Sequence, residues 1–215
     1  VFNKILITSG PTIEPIDPVR FISNRSSGKT GFHLATEARS RNLGPIVFIT
    51  GPTSWLPAQV EVIPVETALE MRRAVGEHFR QADVIIMAAA VSDYRSLKYY
   101  PDKIKKSGER FLLELVKNPD ILLEFGRQKK ASQVLVGFAA ETDDIFVNAQ
   151  KKLLAKNLDL LVLNEISKAN PAFGSEENQV FLVRPDGMRK LERMSKARIA
   201  ASIWDDILFL AGRRS

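Results

Sequence analysis

Six short apolar runs, separated by segments of helical period, limit what this chain can fold into more than any other feature. They are Lys4 to Ser9, Ile46 to Thr50, Val60 to Val65, Asp83 to Ala88, Val134 to Ala139 and Leu158 to Leu163. A strand covered on both faces reads as a continuous apolar run, as these do. Between them, Ala68, Met71, Val75 and Phe79 fall on one face of a helix, and Ile145, Ala149, Lys152 and Lys156 on one face of another. Strands alternating with helices predict a doubly wound, Rossmann-like α/β fold with a mostly parallel sheet and ligands at the carboxyl ends of its strands. The chain has 215 residues, 45% of them hydrophobic, which suits one domain over 1–215.

Four further segments carry structural signals. Gly10 to Ser27, with Pro11, Pro15 and Pro18, is too long for a mere connection and reads as a functional loop. In an excursion over 164–192, Gln179 to Arg184 and Arg189 to Glu192 flank the turn signal Pro185-Asp-Gly-Met188, which predicts an added β-hairpin. Asn118-Pro119-Asp120 reads as a helix start with a capping Asn, and Ile199, Ile203, Ile207 and Leu210 mark a closing amphipathic helix.

Composition removes whole classes of chemistry. Without cysteine there is no disulfide, thiolate nucleophile or thiolate-held metal. His33 and His78, the only imidazoles, lie far apart and read as packed or solvated side chains. No apolar run is long enough for a bilayer-spanning helix and no signal segment opens the sequence, so a soluble, cytoplasmic protein is expected. The net charge of +6 invites a nucleic-acid reading, and a non-catalytic nucleotide- or nucleic-acid-binding module stays open as an alternative. Between Lys98 and Asn157, however, twelve Lys or Arg stand against eight Asp or Glu, an excess concentrated beside candidate phosphate loops. Only Tyr99 and Tyr100 stand close enough to stack bases there, so a small polyanion is the favoured partner and no nucleic acid is expected.

Those loops begin with Arg20-Phe-Ile-Ser-Asn-Arg-Ser-Ser-Gly-Lys-Thr-Gly31. Hydroxyls, glycines and cations leading into a helix suit a polyphosphate, because helix-start N–H groups carry partial positive charge. Gly28-Lys-Thr30 hints at a P-loop, but Ser23 replaces the earlier glycine, and Gly10-Pro-Thr-Ile13 lacks the dinucleotide-binding glycine pattern. A plain helix cap is the simpler reading of Ser26-Ser27-Gly28, yet Arg20, Asn24 and Arg25 add donors that a cap does not need. Ala88-Ala-Ala-Val-Ser-Asp93 places small side chains at a strand end, where a base or ribose could lie, with Asp93 as hydroxyl acceptor or metal ligand. Lys103-Ile-Lys-Lys106 reads either as a solvated loop or as charge for a triphosphate, and Lys152 and Lys156, one turn apart, suit the same polyanion.

Taken in order, these motifs resemble the phosphopantothenoylcysteine synthetase family, commonly the C-terminal half of a bifunctional decarboxylase/synthetase. The resemblance also rests on Thr8-Ser-Gly-Pro-Thr12, Asp17-Pro-Val-Arg20, Val116-Lys-Asn-Pro-Asp120, Gly137-Phe-Ala-Ala-Glu-Thr142 and Lys156-Asn-Leu-Asp159, and covers nearly the whole chain. It implies ligation of 4′-phosphopantothenate to cysteine through an acyl-nucleotide. The bacterial character of the sequence favours CTP, with ATP the alternative, and Mg²⁺ is the expected metal with its ligands unassigned. By resemblance Asn24 holds the acyl-nucleotide and Lys103 assists its formation and contacts the nucleotide. Ser26, Gly28 and Gly31 cradle phosphates. Met87, Ala88, Ala89, Asp93, Pro119, Asp120, Ile121, Leu122, Phe138, Lys152 and Lys156 contact the nucleotide, and Arg20 the acid substrate. A homodimer is implied too, with the hairpin around Pro185 to Met188 as candidate exchanged element, as is a fused or partner flavin-dependent decarboxylase.

Overall fold

The computed structural model describes residues 1–105, 108–141, 145–165 and 175–214. Lys106, Thr142 and 166–174, which the sequence reading touches, lie outside them. In chain order the elements are β1 (Ile5–Ser9), β2 (Ile13–Pro15), β3 (Phe21–Ser23), α1 (Lys29–Ser40), β4 (Ile46–Thr50), β5 (Glu61–Pro64), α2 (Ala68–Phe79) and β6 (Val84–Met87). Then follow β7 (Tyr94–Ser96), β8 (Leu115–Lys117), α3 (Ile121–Gly126), β9 (Val134–Glu141), α4 (Ile145–Ala155) and β10 (Leu160–Glu165). The last are β11 (Glu177–Asn178), β12 (Val180–Arg184), β13 (Gly187–Lys190), β14 (Met194–Ser195) and α5 (Lys196–Gly212).

All six apolar runs become neighbours in one eight-stranded sheet of order β13-β12-β10-β9-β6-β1-β4-β5. The six are mutually parallel, and the predicted hairpin adds β12 and β13 antiparallel at the β10 edge. From β1 the chain builds outward through β4 and β5, then returns to the other side with β6, β9 and β10. The switch point therefore lies between β1 and β6, where diverging connections leave a crevice at the strand ends.

Alternate residues of each strand feed cores on opposite faces. Ile5, Ile7, Phe48 and Ile86 pack with Leu34 of α1 and Ile203 and Trp204 of α5. Leu6, Ile49, Ile85 and Leu135 pack with Met71 and Val75 of α2, Phe125 of α3 and Leu153 of α4. The α2 face read from sequence is thus buried, as are Ile199, Ile203 and Ile207 of α5, whereas on α4 Lys152 and Lys156 are half-buried beside buried Ala149. Thr67 and Glu70 close a reciprocal capping box at the start of α2, satisfying N–H groups that the first turn leaves open. Trp204 Nε1 donates to the carbonyl of Leu34 at 2.8 Å and ties α5 to α1.

Two expectations need correction. The Gly10 to Ser27 segment is not simply a loop: β2 and β3 pair antiparallel within it. The cap of α3 is Asp120, whose carboxylate accepts from the N–H of Leu123 at 3.0 Å, not Asn118. Asn118 instead donates to the carbonyl of Ser92 and accepts from Arg95, because two residues separate it from the first helical turn.

Candidate functional site

Beyond β1 the chain turns at Gly10, whose φ of +69° and contact with Gly51 favour glycine. An isolated bridge between Pro11 and Ala90 extends the β1/β6 pairing past the strand ends. The crevice is thereby divided into two hollows that share Ala89 and Phe138 as walls.

The first hollow, about 200 Å³, is bounded by Ser26 to Gly31, by Ala88 to Ala90 and by Phe138 to Ala140. Its floor comes from Asn164, Asn178 and Lys196 together with apolar Val162, Val180 and Ile199. The start of α1 faces it. The cap residue is Gly28 at φ +80°, which has no side chain to accept from the first turn, and Ser27 Oγ reaches the helix start with one long contact, accepting from the N–H of Lys29 at 3.5 Å. Ser26 Oγ accepts only from the N–H of Gly28 at 3.4 Å. Two hydroxyls outside the motif fix this loop: Ser9 Oγ donates to the carbonyl of Gly28 at 3.0 Å, and Thr53 Oγ1 to that of Ser27 at 2.7 Å. N–H groups at such a helix start favour an anion.

Gly31 has a different explanation from the one its motif suggests. A Cβ there would meet Ser9 Oγ at 2.2 Å, so close packing of α1 on β1 demands glycine, whatever binds nearby. Lys29 lies 4.6 Å over the Trp55 ring and pairs with Glu176 at the rim. His33 stands in the same aromatic group, and burial, then the charge of Lys196, depresses its pKa against the opposing pull of Glu176.

The second hollow, about 240 Å³, lies towards α2, α3 and α4. Met87, Ala89, Asp93 and Phe138 line it, with the Pro119 to Leu122 turn and Lys156. Lys156 Nζ reaches Asp120 at 2.9 Å. Most residues expected to contact a nucleotide therefore fall in one hollow. Ala88 lies in the other, and Lys152 lines neither.

Asn24 stands at the divide, its amide donating to the carbonyl of Ala90 at 3.0 Å. Arg20 and Lys103 lie on a separate arm. The buried Asp17 carboxylate accepts from the N–H groups of Val19 and Arg20, each at 2.8 Å, and of Ile104 at 3.1 Å. Arg20 also donates to Asp17 and to the carbonyl of Ile104. Asp17 thus staples the Lys103 loop to Arg20, while exposed Lys103 lines neither hollow. Among the described residues no group of three His, Asp or Glu side chains is placed to hold a metal. Nor is any helix there long and apolar enough to cross a membrane.

Sequence reasoning missed Asn178, Lys196, Ser9 and Thr53. The last two could have been suspected as hydroxyls following strands, whereas nothing local marks Lys196 as a residue of this hollow.

Comparison with known proteins agrees with this fold. The chain is 42% identical over 97% of its length to a cysteine/cysteine sulfinic acid decarboxylase from an unknown prokaryotic organism, covering 58% of that protein. It is 43% identical over 99% of its length to the coenzyme A biosynthesis bifunctional protein CoaBC of Bacillus subtilis (strain 168), covering 53% of it. The chain thus spans a little over half the length of these relatives. The crystal structure of the C-terminal domain of a CoaBC protein matches with a TM-score of 0.83 and 36% identity, over 98% of this chain and 96% of that one. With residues 2–210 matched, the chain belongs to the DNA/pantothenate metabolism flavoprotein C-terminal domain family.

Proposed function

We propose that this chain is the synthetase unit of coenzyme A biosynthesis, joining 4′-phosphopantothenate to cysteine at the expense of CTP. One observation carries the reading: most of the residues expected to contact a nucleotide line one hollow, and those expected to cradle phosphates line another that shares a wall with it. The similarity to CoaBC supports it. In the first step a carboxylate oxygen attacks the α-phosphorus, the bond to the β-phosphate oxygen breaks, and pyrophosphate leaves. In the second the cysteine nitrogen attacks the acyl carbon, CMP departs, and the amine proton passes to solvent. Both nucleophiles belong to substrates, so the protein need supply only alignment and charge.

Within this reading Asn24 orients the acyl-nucleotide across the divide, and Lys103 meets the phosphates by movement of its arm. Mg²⁺ fits as an ion arriving on the triphosphate. Asp93 is a single acidic side chain lining the second hollow besides the paired Asp120, and Mg²⁺ sites commonly combine one or two carboxylates with substrate phosphates. The ion would neutralise charge on the departing pyrophosphate. Fusion to a flavin-dependent decarboxylase, a homodimer and a cytoplasmic setting accompany the reading.

The test is pyrophosphate release with CTP or ATP, with and without 4′-phosphopantothenate and cysteine. Release that requires the acid and is faster with CTP is expected; none with either nucleotide refutes the reading. In quenched flow Asn24→Ala is expected to accumulate acyl-nucleotide but turn it over poorly, and Lys103→Ala to fail before it appears. Normal product formation by either variant sinks its assigned role.

A further inference from the structure

Lys196 is buried where a lysine is least at home. It is the first residue of α5, where the helix dipole disfavours a cation, and only 6% of its surface is exposed. Among the described residues its ammonium has no hydrogen-bond or ion-pair partner; nearby Glu176 is engaged by Lys29. A largely buried cation without a direct partner incurs desolvation, which the attraction of Glu176 offsets only in part.

The neighbouring strand contains a second incongruity. Asn178 is also 6% exposed, and its Oδ1 is buried without any partner. Pairing of β11 with β14, Asn178 opposite Met194, brings the two side chains together on the floor of the first hollow. Opposite them opens the uncapped start of α1. Three elements distant in sequence thus present a cation, an amide and helix-start N–H groups to one small space. The Lys196 ammonium and the helix-start N–H groups donate to phosphoryl oxygens, and the Asn178 amide can donate through Nδ2, while its unpartnered Oδ1 is an acceptor that suits a hydroxyl or N–H of the same ligand.

We propose that Lys196 and Asn178, facing the N-terminus of α1, form a phosphoryl-binding subsite in which the Lys196 ammonium contacts the bound anion directly. The proposal rests on the synthetase reading for its ligands, which offer two sources of that chemistry: a nucleoside triphosphate and the phosphomonoester of the acid substrate. Depression of the Lys196 pKa, by burial and then by the charge of Lys29, prevails over the opposing pull of Glu176.

The experiment is calorimetric titration of the full chain and of Lys196→Met and Lys196→Arg with CTP, 4′-phosphopantothenate and inorganic pyrophosphate, each separately. Loss of a charge-assisted contact is expected to weaken at least one ligand roughly 10- to 100-fold in Lys196→Met. Lys196→Arg should recover part of that affinity. Weakening of CTP alone identifies the triphosphate as occupant, of the acid alone the phosphomonoester, and of both a subsite used by each in turn. Since Lys196→Met removes an unpaired buried charge, its melting temperature should not fall, whereas loss of a structural ion pair would lower it.

Unchanged affinity of Lys196→Met for every ligand that the parent binds overturns the subsite and leaves the synthetase reading standing. Lys196-dependent binding of pyrophosphate, with neither substrate bound by the parent, supports the subsite and overturns that reading. No binding of any of the three overturns both.

Discussion

Replacing Gly31 by alanine tests whether that glycine is there for packing or for a ligand. The added Cβ would lie 2.2 Å from Ser9 Oγ and 2.5 Å from Ser9 Cβ. Non-bonded carbons rest at about 3.5–4.0 Å, so the first turn of α1 must lift from β1 by roughly 1 Å. Rotating the hydroxyl away gives no escape, because the Ser9 Cβ itself is in the way. Such overpacking destabilises by about 1–3 kcal/mol. Weakening the Ser9 hydrogen bond to Gly28 adds about 0.5–1.5 kcal/mol, for a total of roughly 1.5–4.5 kcal/mol. In a domain of this size that corresponds to a fall in melting temperature of about 3–18 °C. Ser9→Gly removes both offending atoms and leaves Ser9 Cα, 3.3 Å away, as the nearest obstacle. Thermal unfolding followed by circular dichroism should therefore show Gly31→Ala with Ser9→Gly melting well above the sum of the two single losses. A Gly31→Ala protein that melts with the parent, or a double variant whose losses simply add, refutes the packing argument.

Two further outcomes follow from the titrating groups. Burial opposes the charge of Asp17, but the N–H groups of Val19, Ile104 and Arg20 and the Arg20 charge together hold its carboxyl below the ordinary value. Its contribution to stability is therefore present above the unfolded-state pKa and is lost as pH falls through the folded one. Asp17→Asn should flatten that part of the acid unfolding curve and speed exchange of the Ile104 amide; unaltered exchange at Ile104 would show that Asp17 does not hold the Lys103 arm. His33 reports on the first hollow, since burial and then Lys196 depress its pKa. By NMR titration, Lys196→Met should raise the His33 pKa, and a downward shift or none would contradict the closeness of the two groups.

Strand positions and the sheet class were legible because each central strand is covered on both faces, which leaves an unmistakable apolar run. In the second hollow Asp93 was legible for a related reason, since it follows the end of β6 where a doubly wound sheet opens its crevice, whereas Met87 and the Pro119 to Leu122 turn were legible only through the family resemblance. Gly31 was misleading because a glycine tolerated for helix–strand contact and one needed by an anion look alike in sequence. The β2/β3 pair escaped notice since three-residue strands carry too little pattern, and their geometry depends on the Asp17 carboxylate gathering N–H groups from both turns. Lys196 was invisible for the opposite reason. Its local setting is an ordinary helix start, and only the pairing of β11 with β14 makes it the floor of a cavity.

The cations that make the sequence look phosphate-binding differ sharply in readiness. Lys29 is held by Glu176, Lys156 by Asp120 and Arg20 by Asp17. Glu176 is largely exposed, and the Lys156 pair is partly so, and such pairs are worth only about 0–1 kcal/mol. A polyphosphate can therefore displace these carboxylates with little opposition, and the rim cations act as exchangeable partners. Arg20 is less available, because the Asp17 carboxylate that holds it is fully buried and also binds Ile104. Lys196 stands apart from both cases: it is buried and, among the described residues, has no carboxylate to release. An anion reaching it gains an interaction in a poorly screened environment and offsets the desolvation of the cation. Affinity should consequently depend on the floor of the first hollow more than on the conspicuous lysines at its rim, the reverse of the ranking that counting charges along the sequence suggests.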